Sequence, residues 1–374
     1  MKWLYGILCL FFLILFHEFG HFLAAKLFGV KVESFSVGFG PILLHRTIKG
    51  TDYRLSLIPL GGYCGMKGEN DFRKAMDENL KEINGEPDSL YGVHPIKRAA
   101  IGFAGPFFNL IFAIFCFSLI NGIGYNYYSY SNKIILADEL YENTSTAARD
   151  AGLLSGDTII RINNTQITDF SQIIEEVSVR PDENITVTVL RDNKELSFTV
   201  HTDMNKESGT GKIGVAADTE SLVERSTPDY NFFQAIGHGF LDTFEYIGLT
   251  FKSIAILFKG VDLKNAVGGP ARITEMLGST AQEGFSEGFK IGFISLSQLM
   301  AVISISLFIM NLLPIPVLDG GLILVAIIET ISRKKVPPKV QYRIQFIGFA
   351  FIGILFIIGL IGDINYFISG AKLK

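Results

Sequence analysis

The sequence predicts a polytopic α-helical membrane protein with four spans, a membrane-associated β-hairpin after the first span, and an inserted extracytoplasmic α+β domain. Two observations support this fold class. Long charge-free apolar runs recur along the 374 residues, and the mean hydropathy of +0.34 is higher than an ordinary soluble enzyme shows. Between the second and third of these runs, short stretches of alternating apolar and polar residues are typical of strands in a soluble domain.

Charge-free runs place the four spans. The runs at residues 99–132, 291–318 and 344–362 are each about as long as a bilayer crossing requires, or longer. The N-terminal run begins with Lys2, as a secretory signal peptide would, but no convincing small-residue cleavage site follows, so we expect a permanent span. The predicted boundaries of the spans are 1–30, 99–122, 288–318 and 342–362.

The connection between the third and fourth spans sets the predicted orientation. This connection, residues 319–343, is short and carries five basic residues: Arg333, Lys334, Lys335, Lys339 and Arg343. The positive-inside rule places such a loop in the cytoplasm. With four spans, residues 31–98 then lie on the cytoplasmic side, while both termini and residues 121–290 lie outside.

A hairpin is predicted within the 31–98 segment. Residues 41–62, PILLHRTIKGTDYRLSLIPLGG, read as two strands around an IKGTD turn. Placed against the membrane, such a hairpin offers a free edge to which an extended peptide can add as a further strand. An ordinary cytoplasmic hairpin fits the same pattern.

The α+β domain is predicted over residues 134–203. It contains the strand-like stretches TVTVL and LSFTV and one helical stretch near 170–177. The sequence AARDAGLLSGDTIIRINNTQI resembles the signature region of PDZ domains as arranged in proteases, with AGL before a tight turn at Gly156 and Asp157. The resemblance implies a groove that accepts a chain end or an extended segment. Another small β-rich fold is the alternative.

Residues 228–285 are predicted to form an amphipathic helical region on the outer membrane face. Within residues 231–260, six phenylalanines recur with helix-like spacing and are interrupted by Asp242, Glu245 and Lys252. This pattern suits a helix lying on the membrane surface better than a fifth crossing.

Composition excludes several functional classes. The net charge is −4 and no block of like charge runs long, so we do not expect a nucleic-acid partner. The three cysteines, Cys9, Cys64 and Cys116, are far apart and form no CxxC pair. Neither a disulfide framework nor a thiolate zinc site is therefore predicted.

The first span contains the sequence FHEFGHFLAAK at residues 16–26. Histidine and glutamate are costly at membrane depth unless they find partners. In this HExxH sequence, His17 and His21 lie four residues apart, on one face of a helix, with Glu18 beside them. A zinc ion bound by the two histidines would neutralise this cluster, but it needs a third protein ligand.

A polar cluster at the cytoplasmic end of the third span supplies a candidate for that ligand. In NLLPIPVLDGG, Asn311 and Asp319 flank Pro314 and Pro316, which break the helix. Irregular backbone at this depth is tolerated where it is buried in protein or lines a water-filled cavity. Asp319 is the natural carboxylate ligand, although a capping aspartate in a DGG turn is an equally plain interpretation of the residues alone.

Three motifs in this order are similar to those of the site-2 protease family of intramembrane zinc metalloproteases. They are HEFGH in the first span, FAGPFFN in the second and NLLPIPVLDGG in the third. SVGFGP at residues 36–41, PLGGYCGM at residues 59–66 and the PDZ-like segment resemble the RseP-type branch. This chain has one PDZ-like domain where the best-known members have two, and Ser306 stands where some relatives have asparagine.

The resemblance implies a set of site residues. It implies one zinc ion per chain, bound by His17, His21 and Asp319, with Glu18 as the catalytic base. It further implies substrate-facing roles for Asn311, Pro314, Pro316 and Asn109.

The resemblance also implies a function. We expect an intramembrane zinc endopeptidase of the bacterial cytoplasmic membrane, with its active site near the cytoplasmic side of the bilayer. Its substrates would be single-span membrane proteins, anti-sigma factors or signal-peptide remnants, already shortened by an upstream site-1-type protease. A non-catalytic membrane PDZ scaffold that retains the zinc site is the alternative, and a metal transporter is a weaker one, because the outer ends of the spans are almost wholly apolar.

Overall fold

The computed structural model describes residues 1–142, 144–206, 208–259, 261 and 268–372. Within this part of the chain, four helices are long and apolar enough to cross a membrane, which confirms the four predicted spans. They are Lys2–Leu27, Pro95–Ile123, Phe289–Leu312 and the Pro338–Ile368 part of the last helix.

The chain contains mainly helices, with short strands between the second and third spans. In chain order the helices are α1 (Lys2–Leu27), α2 (Glu69–Asp77), α3 (Pro95–Ile123), α4 (Ala147–Asp150), α5 (Phe170–Ser178), α6 (Phe232–Leu257), α7 (Pro270–Ser286), α8 (Phe289–Leu312), α9 (Asp319–Ser332) and α10 (Pro338–Lys372). The strands are β1 (Val32–Ile48), β2 (Thr51–Met66), β3 (Asn126–Tyr130), β4 (Ile134–Leu136), β5 (Thr158–Ile162), β6 (Thr165–Gln166), β7 (Asn184–Arg191), β8 (Lys194–His201), β9 (Asp203–Met204), β10 (Gly211–Lys212), β11 (Val215–Ala217) and β12 (Leu222–Ser226).

The chain divides into two compact units. The first comprises residues 1–122, 231–247 and 268–364, and it contains the helices that could span a membrane. The second comprises the described residues of 123–230, 248–267 and 365–374, and it contains strands β3 to β12.

In the first unit, β1 and β2 form a hairpin around Lys49 and Gly50. Both turn residues have positive φ, 48° and 79°, as a two-residue hairpin turn requires. The strands are longer than the predicted 41–62 hairpin, and each contributes two segments. Residues 32–37 pair on one side with residues 62–66, and residues 34–37 pair on the other side with residues 52–55. The result is a four-segment sheet in which residues 62–66 lie at one edge.

Helix α9 lies where the sequence predicted only a loop, in residues 319–343. Pro314 and Pro316 end α8, but the apolar run that follows Asp319 is long enough to resume a helix of 14 residues. This helix ends at Arg333, which adopts the left-handed conformation with φ 53°. Asp319 is thus the first residue of a helix rather than part of a loop.

The region predicted as amphipathic, residues 228–285, contains α6 and α7, while residues 260 and 262–267 lie outside the described residues. Helix α6 is not among the described helices that are long and apolar enough to cross a membrane. Helix α7 packs lengthwise against the first turns of α1, where Lys2 Nζ lies 2.7 Å from Glu275 Oε1. Its N-terminus is capped by Asp363 of α10, which accepts hydrogen bonds from the backbone N–H groups of Gly269 and Ala271.

The second unit is built on an antiparallel sheet in the order β6-β5-β7-β8, with α5 packed against it. Alternate residues of β5 and β7, including Ile159, Val187 and Val189, are fully buried in its core. The unit is wider than the predicted 134–203 domain, because β4 pairs with β11 and β3 pairs with β12. The PDZ-like assignment of this unit stays a prediction.

Candidate metal centre

Helices α1 and α3 approach closely at two glycines. A Cβ atom on Gly20 would lie 2.4 Å from the carbonyl oxygen of Ala104, and one on Gly105 would lie 2.2 Å from Nε2 of His21. Only glycine, which has no Cβ, leaves room for these contacts. Small residues are common at close helix crossings in membranes for the same reason. The two glycines therefore let α3 lie directly behind the histidines of α1.

The structure brings together three side chains that the sequence predicts as metal ligands. Nε2 of His17 and Nε2 of His21 lie 3.2 Å apart. Nε2 of His17 also lies 3.2 Å from Oδ2 of Asp319, and Nε2 of His21 lies 3.2 Å from Oδ1 of the same carboxylate. The two histidines are only 9 % and 7 % exposed. Among the described residues, these side chains form the one group of three or more His, Cys, Asp or Glu residues that could hold a metal ion.

The donor atoms fit a zinc ion. Tetrahedral zinc with bonds of about 2.0–2.1 Å has neighbouring ligand atoms about 3.3 Å apart, close to the 3.2 Å separations found here. Two imidazole nitrogens and a carboxylate oxygen are also a ligand set that zinc takes in catalytic sites. His17, His21 and Asp319 could therefore hold a zinc ion with little rearrangement.

Helix α3 orients both imidazole rings. Nδ1 of His21 donates to the carbonyl oxygen of Ile101 at 2.8 Å, which leaves Nε2 unprotonated and free to bind a metal. Nδ1 of His17 lies 3.0 Å from the side-chain amide nitrogen of Asn109. The amide oxygen of Asn109 is buried without a partner among the described residues, and a 180° turn of the amide lets that oxygen accept a hydrogen bond from the Nδ1–H of His17.

Asn109 is expected from the sequence to face the substrate. Its side chain is fully buried next to His17. Ser304 of α8 donates to its backbone carbonyl at 2.8 Å and ties α8 to α3 at this level. These contacts place Asn109 against His17, and its substrate-facing role stays a prediction.

Glu18 lies between the histidines and the β1–β2 sheet. Its side chain is half-buried, and its Cγ atom lies 3.4 Å from the position that a Cβ on Gly62 would occupy. Glu18 therefore lies beside Gly62, at the sheet edge.

The chain between α8 and α9 carries the other predicted residues. Asn311 is half-buried in the last turn of α8, Pro314 is exposed, and Pro316 is half-buried. Val317 has a φ of 93°, which is rare and costly for a β-branched residue. The structure places these residues on the irregular segment that leads directly into Asp319.

Gly105 and the carbonyl of Ile101 have no role in the site predicted from the sequence. A signal for α3 was present, because Gly105 and Asn109 are four residues apart in FAGPFFN and so share one helix face. The carbonyl of Ile101 left no such signal, since any residue supplies the same backbone atom.

An HExxH pair on a helix that could span a membrane, with a distant carboxylate beside it, is the residue pattern of a metallopeptidase. The chain matches the family model described as Peptidase family M50 over residues 5–355 and belongs to that family, the site-2 protease family. It is therefore a multi-pass membrane metallopeptidase.

Curated relatives share nearly the whole chain. A protein of Treponema pallidum is 33 % identical, with 98 % of this chain and 99 % of the relative aligned. A protein of Campylobacter jejuni is 36 % identical, with 99 % and 95 % aligned, and one of Helicobacter pylori is 32 % identical, with 96 % and 98 % aligned. Each relative is provisionally named a zinc metalloprotease.

Proposed function

We propose that this protein is an intramembrane zinc endopeptidase that cleaves spanning segments of single-span membrane proteins. One observation carries the proposal: His17, His21 and Asp319 converge at 3.2 Å separations, next to a half-buried glutamate, in the unit that contains the spanning helices. One such cluster in the described residues supports one zinc ion per chain.

The chain's own residues divide the work of the reaction. His17, His21 and Asp319 hold the zinc ion, and Ile101 and Asn109 keep the two imidazoles in the orientation that binding requires. Zinc, when bound, supplies Lewis-acid polarisation of the scissile carbonyl and lowers the pKa of water at the site.

Glu18 is the general base and acid. Its carboxylate accepts a proton from the attacking water and then donates that proton to the nitrogen of the leaving amine. The oxygen of the water forms a bond to the carbonyl carbon, and the C–N bond then breaks. One water molecule is therefore consumed for each peptide bond cleaved. The position of Glu18 beside the sheet edge supports this role, because a peptide bound along that edge would pass the carboxylate.

The sheet edge at residues 62–66 is the proposed substrate platform. A spanning substrate must unwind before attack, and its exposed backbone groups then need partners in a medium that holds little water. Residues 62–66 pair with β1 on one side only among the described residues, so the other side can accept an added strand. Asn311, Pro314 and Pro316 would line the opposite side of the bound peptide, on the irregular segment before Asp319.

The second unit is proposed as a PDZ-like gate outside the cytoplasmic membrane of a bacterium. A cavity of about 270 Å³ lies between α5 and residues 211–215, where Phe170, Ile173 and Val177 contribute apolar lining. Such a groove suits an extended chain end. The gate would reject proteins with bulky outer domains and admit those already shortened by an upstream site-1-type protease. The active site would lie near the cytoplasmic side of the bilayer.

The central test compares purified wild-type protein with the variant Glu18→Gln on tagged single-span substrates, with zinc and with a chelator. We expect the variant to lose cleavage while its zinc content stays near that of the wild type, because Glu18 moves a proton and does not bind the metal. Full activity of the variant would refute the assignment of the base. A wild-type protein that binds zinc but cleaves nothing would support the alternative, a non-catalytic PDZ scaffold.

The pairing of β3 with β12 allows a clean test of the gate. Ser131 donates its backbone N–H to the carbonyl of Ser221 at 3.0 Å, so residues 132–220 can be replaced by an Asn-Gly turn that closes a hairpin. We expect this variant to cleave substrates with intact outer domains, while cleavage of shortened substrates is unchanged. Continued rejection of intact substrates would place the gate elsewhere.

A further inference from the structure

A buried ion pair joins α3 to α9. The guanidinium of Arg98 donates through Nη2 to Oε2 of Glu329, and both side chains are only 4 % exposed. Arg98 also lies over the ring of Tyr91, with its Cζ 5.3 Å from the ring centroid. Oε1 of Glu329 accepts a hydrogen bond from the backbone N–H of Val336, at 2.8 Å. The pair therefore links two helices and the connection that follows α9.

Both helices of this pair carry parts of the metal centre. Asp319 is the first residue of α9, and Glu329 lies ten residues further along the same helix. Helix α3 carries Arg98 near its start, followed by Ile101 and Asn109, which contact the two histidines. Any movement of α9 against α3 would therefore change the separation of Asp319 from His17 and His21.

We propose that Arg98 and Glu329 are positioning residues that hold Asp319 at metal-binding distance from the two histidines. This inference rests on the proposed function, and it adds residues that touch neither the metal nor the substrate. Buried ion pairs are weak sources of stability and can often be replaced by apolar residues of similar volume. A role in geometry accounts better for a fully buried pair at this position.

The geometry of α9 supports a lever. Close to its start, Ile323, Leu322 and the carbonyl oxygen of Asp319 lie 3.1, 3.3 and 3.6 Å from the position that a Cβ on Gly102 of α3 would occupy. At about 1.5 Å per residue, Glu329 lies about 10 Å beyond the side-chain part of this contact. A shift of about 2 Å at Glu329 would therefore tilt α9 about its first turn and turn the carboxylate of Asp319, whose metal-binding distance tolerates only roughly 0.2 Å.

A cavity beside the pair leaves room for such a shift. It measures about 150 Å³ and lies between Arg98, residues 316–318 and the start of α10, where Gln341 and Gln345 line it. Because this side of α9 is not filled by packed side chains, the ion pair is the contact that holds the far part of the helix against α3.

The test separates positioning from a purely structural role. The variants are Glu329→Gln, which keeps the shape of the side chain, and the double variant Arg98→Met/Glu329→Met, which leaves no buried charge unpaired. The control is Arg191→Met in the second unit, which breaks a pair with the buried carboxylate of Asp157. For each protein, thermal unfolding, zinc affinity by chelator competition and the visible spectrum of the cobalt-loaded form are measured.

We expect the double variant to unfold near the wild-type temperature, yet to bind zinc more weakly, by up to the 10–100-fold that loss of a group contacting a ligand causes. Glu329→Gln should weaken zinc binding in the same direction, both variants should show an altered cobalt spectrum, and Arg191→Met should bind metal normally. Wild-type zinc affinity and an unchanged cobalt spectrum in either folded variant would overturn the proposal. The proposed function requires that the wild type binds zinc and that His17→Ala does not. If this difference is not found, the proposed function fails as well.

Discussion

Replacement of Gly105 by alanine would place a methyl group inside the metal centre. The new Cβ would lie 2.2 Å from Nε2 of His21 and 2.8 Å from Cε1 of His17. An ordinary van der Waals contact is about 3.4 Å or more, so the ring of His21 must move by about 1.2 Å, or α1 and α3 must separate by a similar distance. Either change displaces a ligand by several times the roughly 0.2 Å tolerance of a metal–ligand distance.

The expected cost follows from this displacement. A misplacement of about 1 Å at a reacting group lowers the rate by about 100-fold, or about 2.7 kcal/mol of activation free energy. Helix propensity acts in the opposite direction, because alanine is about 1 kcal/mol more favourable than glycine within a helix. We therefore expect Gly105→Ala to lose zinc and activity without a matching loss of helical structure.

The assay measures zinc content, circular dichroism and cleavage of a single-span substrate in detergent-purified protein. The control is Gly353→Ala in α10, where a Cβ would meet nothing within 4 Å, so zinc and activity should remain at wild-type levels. Wild-type zinc content and cleavage in Gly105→Ala would refute the close approach of α3 to the two histidines.

Three further predictions concern other parts of the chain. Asn109→Ala should weaken zinc binding about 10–100-fold, as measured by chelator competition. Asn109→Asp keeps an acceptor for Nδ1 of His17 and should therefore bind zinc more tightly than Asn109→Ala. Equal affinities of the two variants would exclude an orienting role for Asn109. Gly348→Ala would place a Cβ 2.0 Å from the carbonyl oxygen of Pro316, so we expect a lower kcat/KM with zinc content largely retained. Unchanged kinetics would show that the segment between α8 and α9 does not depend on α10. Arg191→Met should leave the carboxylate of Asp157, which is only 2 % exposed, without its ion-pair partner. We expect this to destabilise the second unit by about 2 kcal/mol or more, seen as faster limited proteolysis within residues 123–230. Unaltered proteolysis would contradict this prediction.

Local sequence patterns were sufficient for several features. The four spans follow from apolar runs, because a bilayer crossing depends on the length and composition of a single segment. The pairing of His17 with His21 follows from helix geometry, since residues four apart share a face. The PIPVLDGG segment also showed that the helix breaks before Asp319, because each proline removes a backbone donor.

Other features were decided only by contacts between distant segments. The two-strand hairpin prediction missed the four-segment sheet, because the alternation of β1 does not show that it pairs with two parts of β2. The predicted 134–203 boundary similarly left out β11, which pairs with β4 across about 80 residues of chain.

The sequence by itself determined which residues are costly in a membrane and therefore need partners: the histidines and glutamate of HEFGH, and the aspartate that ends the third apolar run. Tertiary structure decided what holds them in place. The approach of α3 through Gly105, the carbonyl of Ile101 behind His21 and the ion pair of Arg98 with Glu329 all depend on how two helices pack. Periodicity within one helix shows which face a residue occupies, but packing between helices sets which atoms meet there.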